Sequence, residues 1–223
     1  KWGTAGVTIT NPVTSKGQLQ NNSGDGLFIH SNGAVTVNNL NANDNGNMGV
    51  NITTNYYDTA IPATVNLSGL ETNWNGAHGV GVQTLGSIMY STSTSGGNGY
   101  YAAYLDNCRP DGLGGCEATV MKPVTLSKLN FDNNRYGPAV VNSFGNITAG
   151  GIKSQWNGGS GLALFNDYTG STGTITLLGT LGQNVFEGNA LAGMRIFSNG
   201  NVTLSNFLVK NNGSKYATDP LSA

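Results

Sequence analysis

Gly24-Asp25-Gly26-Leu27-Phe28-Ile29-His30, Ser31-Asn32-Gly33, Ala34-Val35-Thr36-Val37-Asn38-Asn39-Leu40-Asn41-Ala42 and Asn43-Asp44-Asn45 run on without a break, and at Gly46 the pattern starts again. Leu27 and Ile29 alternate with Phe28 and His30, and Val35 and Val37 flank Thr36, so each short run has the period of two of a half-buried strand. Gly, Asn and Ser separate the runs, and these residues tolerate the bent and left-handed backbone that tight turns need. The stretch reads as one coil of a solenoid.

Copies of it align on an apolar-Thr-apolar column: Val7-Thr8-Ile9, Val35-Thr36-Val37, Val65-Asn66-Leu67, Val124-Thr125-Leu126, Ile147-Thr148-Ala149, Ile175-Thr176-Leu177 and Val202-Thr203-Leu204. Most lie 23 to 30 residues apart, while the 59 residues from Val65 to Val124 leave room for one loosely matching coil or a long insertion. A second column, Asn22, Asn45, Asn75, Asn134, Asn157, Asn189 and Asn212, closes each coil in phase with the first. Such periods mean stacked repeats, so 1–213 is expected to form one elongated all-β body of roughly seven coils, with an insertion over 88–123 and a tail or linker over 214–223. At one strand spacing per coil the body is about 30 to 35 Å long. Stacked Asn side chains are expected to form an amide ladder that satisfies turn backbone groups.

Charged residues make up 9% of the chain and glycine supplies 34 positions, which fits turns built from Gly and Asn in place of charged helices. A net charge of -1 with no basic stripe excludes a nucleic-acid partner. No apolar run reaches the roughly 20 residues of a membrane helix. Cys108 and Cys116 flank a turn-rich spacer suited to a loop disulfide, which favours an oxidising, extracellular or cell-surface location. A chain that starts at Lys1 without Met reads as a processed or excised piece, with an uncapped first coil around Trp2 that admits head-to-tail self-association.

Departures from the pattern at Tyr56, at Tyr90 to Cys116 and at Asp167-Tyr168 all interrupt the turn before the apolar-Thr-apolar strand. Equivalent turns of a solenoid lie above one another, so these loops should gather on one edge. Tyr56, Tyr57, Tyr90, Tyr100, Tyr101, Tyr104 and Tyr168 are the candidate ligand-binding residues, since sugar rings stack their apolar faces on aromatic planes. Packing of the loops onto the solenoid wall explains the same tyrosines without a ligand. Trp74 and Trp156 hold matching positions before the column Asn and read as turn covers.

Coils of this length with a Gly start, three strand-like runs and an Asn column resemble the right-handed parallel β-helix proteins. These include pectate-lyase-like and polygalacturonase-like enzymes, phage tailspikes and bacterial surface adhesin repeats. The polygalacturonase-like motifs Asn-Thr-Asp, Asp-Asp and Arg-x-Lys are missing, and Ala77-His78-Gly79 stands where that family has Gly-His-Gly. Pectate-lyase-like enzymes cluster Asp or Glu around calcium, whereas Asp25, Asp44 and Asp132 stand singly at turns, so no cofactor is expected and calcium lacks support. His30 and His78 have no partners at metal-ligand spacing. The chain resembles most the surface and adhesin repeats, which need no such residues.

That resemblance implies a non-catalytic surface or adhesive domain of a longer protein or filament, whose tyrosine-bearing edge binds polysaccharide or a surface protein. The alternative is a polysaccharide lyase or glycoside hydrolase built from Asp58, Asp106, Asp111 and Asp167 with Arg109, of which Asp111 and Asp167 have turn-forming as their simpler duty. A further alternative is ice binding by the outward Thr8, Thr36, Thr125, Thr148, Thr176 and Thr203, extended by Thr10, Asn38, Ser68, Ser127 and Ser205, against which stands ordinary β-branched strand propensity.

Overall fold

The computed structural model describes residues 5–54, 62–109, 112–113, 115–116 and 121–213. They form a parallel β-helix without α-helix. Val7–Thr10, Val35–Asn38, Val65–Ser68, Ile88–Gly96, Val124–Asp132, Ile147–Gln155, Ile175–Leu178 and Val202–Leu204 stack in that order in one sheet. Asn184–Glu187 and Phe207–Lys210 continue the far ends of its longer strands, so the sheet counts ten strands. Leu27–Ser31, Val50–Thr54, Val80–Thr84, Tyr101–Asp106, Gly137–Asn142, Ala163–Asn166 and Arg195–Ser198 form a seven-stranded sheet, and the short strands Gly17–Gln18 and Leu40–Asn41 form a third.

Alternation dictates what lies inside. Val35 and Val37, Val65 and Leu67, Val124 and Leu126, and Ile147 and Ala149 enclose the core from the larger sheet. Val50 and Ile52, Val80 and Val82, Leu105, Val141 and Leu164 close it from the other. Burial of these columns is the main stabilising term, at about 25 cal/mol per Å² of apolar surface. Because every strand pairs with its equivalent one coil away, the residue that follows an inward valine in one coil is followed by the same geometry in the next.

Left-handed residues turn each coil. Asn39 and Gly69 bend the chain just after their strands of the larger sheet, Thr92, Lys128 and Gly151 bend its longer strands at the equivalent point, and Asn21, Asp44, Trp74, Gly97, Asn133, Trp156, Gly188 and Asn211 bend it again before the column asparagine. The asparagines there are the expected occupants of positive φ. Trp74 at φ 57° and Trp156 at φ 56° are not.

The column asparagines form one continuous ladder. Nδ2 of Asn22, Asn45, Asn75, Asn98, Asn134, Asn157 and Asn189 each donates to Oδ1 of the next member, at 2.9 to 3.0 Å, ending on Asn212. The same Oδ1 accepts the main-chain N–H of the preceding member, for example Asn134 N to Asn157 Oδ1 at 2.9 Å. Nδ2 also donates to a carbonyl of the previous coil, as Asn157 does to Phe131 O at 3.0 Å. All but the terminal members Asn22 and Asn212 are buried.

The expected insertion over 88–123 is corrected in part. Ile88 pairs with Val65 and Val124, and Asn98 takes its place in the ladder, so 88–106 is a regular coil and the excursion is 107–123. Met89 stands where the other coils carry Thr or Asn, and Tyr90 fills the inward position of Leu67 and Leu126, which hid the coil from an apolar-Thr-apolar search. The tail over 214–223 and Trp2 lie outside the described residues.

Asn157→Ala removes the acceptor of the Asn134 main-chain N–H in a dry interior and takes one bond each from the Asn134 amide and the Phe131 carbonyl, a buried group left unsatisfied costing about 1 to 3 kcal/mol. Thermal denaturation should show a loss of about 3 kcal/mol, a fall of roughly 6 to 12 °C, whereas Asn201→Ala at an exposed turn should change it by less than about 0.5 kcal/mol.

Candidate functional site

Seven inward polar residues mark the corner where the seven-stranded sheet ends: Ser31, Thr54, Thr84, Asn107, Ser143, Asn166 and Ser198. Where the next turn is tight, a hydroxyl caps it, as Ser143 Oγ accepts Gly145 N–H at 3.1 Å and Thr84 Oγ1 accepts Gly86 N–H at 2.9 Å. Before two of the detours the residue is asparagine with its longer reach, whereas Thr54 precedes the third. Asn107 Nδ2 donates to Gly86 O of the coil before and to Lys122 O at the end of its own excursion, at 3.1 and 2.9 Å. Asn166 Nδ2 likewise donates to Gly145 O at 3.5 Å and Gly173 O at 2.8 Å. These two loops are therefore stapled at their bases.

The two loops meet above those staples. Cys108 and Cys116 are disulfide-bonded, and Gly115 makes a parallel bridge to Thr169. Thr172 Oγ1 donates to Met121 Sδ at 3.6 Å. The shared edge expected of the excursions is present for these two; Tyr56, Tyr57 and Asp58 in the third, and Asp111, lie outside the described residues.

From the ladder corner toward this edge, aromatic rings cross the outer face of the seven-stranded sheet. Tyr100 and Tyr136 sit two residues after ladder members Asn98 and Asn134, and their rings stack at 4.9 Å and 17°. His78 and Tyr101 sit three residues after Asn75 and Asn98 and stack at 5.5 Å and 4°. His78 also lies 5.6 Å from Tyr100 and 5.7 Å from Tyr104. Tyr100 is 47% exposed and Tyr136 49%, with the Arg135 guanidinium 5.8 Å from the Tyr136 ring. Stacking along the axis turns ring faces toward one another and ring edges and hydroxyls toward solvent.

A polar network continues the strip. Asn142 Nδ2 donates to the Tyr104 hydroxyl at 3.3 Å, and the Tyr168 hydroxyl donates to Asn142 Oδ1 at 3.2 Å. Asp106 pairs in register with Gln83 and Asn142, is buried, and accepts Cys108 N–H at 2.9 Å. Burial first, then the charges of Asp106, Tyr104 and Asp167, push the Tyr168 hydroxyl up to about 12. Burial and the Asp106 charge also raise Tyr104. Both phenols therefore stay protonated near neutral pH.

The predicted residues thus separate. Tyr100, Tyr101, Tyr104 and Tyr168 belong to one face, and Asp106 and Asp167 come within electrostatic range of Tyr168. Tyr90 is corrected: it is fully buried, its ring 6.2 Å from Phe131, because its strand position points inward. Asp167 is exposed, and Arg109 lies on the disulfide loop. His78 and Tyr136 were missed, although their fixed offsets from the ladder asparagines carry the signal. Asp25 accepts from Asn47 Nδ2, Met48 N and Asn51 Nδ2 at 2.6 to 2.9 Å and so serves its turn. Among the described residues no three His, Cys, Asp or Glu side chains converge as metal ligands. The outward Thr column is in register, unbroken from Thr125 through Thr148 and Thr176 to Thr203, and is interrupted by half-exposed Met89 and by Asn66.

Burial lowers the His78 pKa below its ordinary 6.5, and its Nδ1 accepts the Tyr101 N–H at 3.3 Å. The unfolded chain takes up the proton before the folded one, so this contribution to stability is complete above pH 6.5 and is lost as pH falls below it. An imidazole titration followed by NMR should give a midpoint under 6.5, and His78→Phe should flatten the decline in melting temperature between pH 7 and 5; a midpoint at or above 6.5 contradicts the packing described.

Among the described residues no helix is long and apolar enough to cross a membrane, and comparison of the chain with known protein families, curated proteins and solved structures finds no match.

Proposed function

We propose that the chain is a non-catalytic extracellular surface or adhesive domain that holds a polysaccharide on the outer face of its seven-stranded sheet. The observation that carries this is the aromatic strip of His78, Tyr100, Tyr101, Tyr104 and Tyr136 on an otherwise amide- and hydroxyl-rich chain of low charge. Phenol hydroxyls kept protonated, ring edges, the outer faces of the terminal rings and nearby amides suit the mixed apolar and hydroxyl surface of a sugar. A stacked, ladder-bonded body supplies a rigid mount, and the disulfide supports an oxidising location.

The lyase or hydrolase reading is favoured by one observation, the gathering of Asp106 with the Tyr104 and Tyr168 hydroxyls. Against it, Asp106 is almost fully covered and the phenols are poor bases. A glycan array should show binding that weakens about tenfold in Tyr100→Ala and Tyr136→Ala, the loss of roughly 1.4 kcal/mol expected for one aromatic contact. Reducing-sugar and unsaturated-product assays on the same panel should stay at background; turnover that disappears in Asp106→Ala would replace the binding reading by the enzymatic one.

A further inference from the structure

The bend before the ladder carries a second set of aromatic groups. Trp74, Gly97, Asn133 and Trp156 are successive members of one column, linked by Trp74 N–H to Gly96 O, Gly97 N–H to Asp132 O and Asn133 N–H to Gln155 O. All four have positive φ. Each indole lies over the glycine of the following coil: a Cβ on Gly97 would strike the benzo ring of Trp74, and one on Gly188 that of Trp156. The inner face of each ring is thus seated on bare backbone. The outer face is open, with Trp74 66% and Trp156 52% exposed.

Seating fixes spacing. The two indoles are three coils apart, about 14 Å at one strand spacing per coil. Between them stand only Gly97 and the exposed amide of Asn133. Charge is sparse here: Asp132 takes a hydrogen bond from Asn130, and Glu187 is paired with Lys210 at 2.9 Å. Two isolated flat faces with an amide between them do not offer the contiguous apolar patch that a protein partner covers. Nor do they offer the charges that a polyanion needs.

We propose that this edge binds a neutral, extended β-linked polysaccharide lying parallel to the solenoid axis, with every third sugar stacked on a tryptophan. A pyranose advances such a chain by about one coil spacing, so a chain with three-fold screw symmetry presents the same ring face at both indoles. The Asn133 amide faces the hydroxyls of the sugars between. This rests on the reading of the chain as a glycan-binding domain, but it uses the bend before the ladder, whereas the tyrosine strip begins after it.

The test uses xylohexaose, a three-fold β-1,4 chain, and cellohexaose, a two-fold one, by calorimetry and indole fluorescence. Xylohexaose should bind the better, and Trp74→Ala and Trp156→Ala should each weaken it about tenfold without lowering the melting temperature. The double variant Asn133→Trp with Trp156→Gly rebuilds an indole over a glycine two coils from Trp74, and it should turn the preference toward cellohexaose. Absence of binding by the unaltered chain, or affinity unchanged in both single variants, overturns the proposal. Binding lost in Tyr100→Ala but kept in the tryptophan variants overturns it while leaving the strip intact; the opposite pattern supports it and removes the strip.

Discussion

A solenoid coil has no reason to return to the same place unless something fixes where it closes, and here the asparagine amides do so. Each interior member accepts two bonds from the coil before and gives bonds forward and back, so its oxygen and amino group are both occupied in a buried site. Apolar burial alone would permit coils to slip, because a slip by two residues keeps valine inward. An amide column does not permit it, since displacing one member strands donors on its neighbours. Register at the ladder then carries around the coil to both sheets.

The division of labour between corners follows. The ladder corner is spaced uniformly, and a side chain added to Gly46 or Gly76 there would meet a carbonyl of the preceding coil. The corner beyond the seven-stranded sheet varies in length: hydroxyls cap the short turns after Thr84 and Ser143, and Asn107 and Asn166 span two of the long ones. Loops that would otherwise add only entropy are thereby closed at their bases and cross-linked by the disulfide and the Gly115–Thr169 bridge. Tyr168 owes its place beside Asn142 to that closure.

Much of this was legible in the chain because the period, the valine columns and seven of the ladder asparagines are local patterns repeated. Asn98 and its coil were not, since Met89 and Tyr90 disguise a strand whose identity depends on pairing with Val65 and Val124. The Asn107 and Asn166 staples were invisible for a related reason: each joins a turn of the preceding coil to the far end of its own loop. The tyrosines were visible as a composition, but whether one lies in the core like Tyr90 or on the face like Tyr104 depends on strand phase. Trp74 and Trp156 could be placed as turn residues, yet the glycine that makes an indole acceptable at positive φ sits a whole coil later.

The amide column is also vectorial. Every oxygen faces the coil before and every forward-pointing amino hydrogen the coil after, so the group dipoles add along the axis. Lengthening by whole coils preserves that sense, while an element arriving in the reverse orientation would set like against like. The stack therefore has an arrow, and a filament assembled from such bodies would inherit its polarity from a row of asparagines.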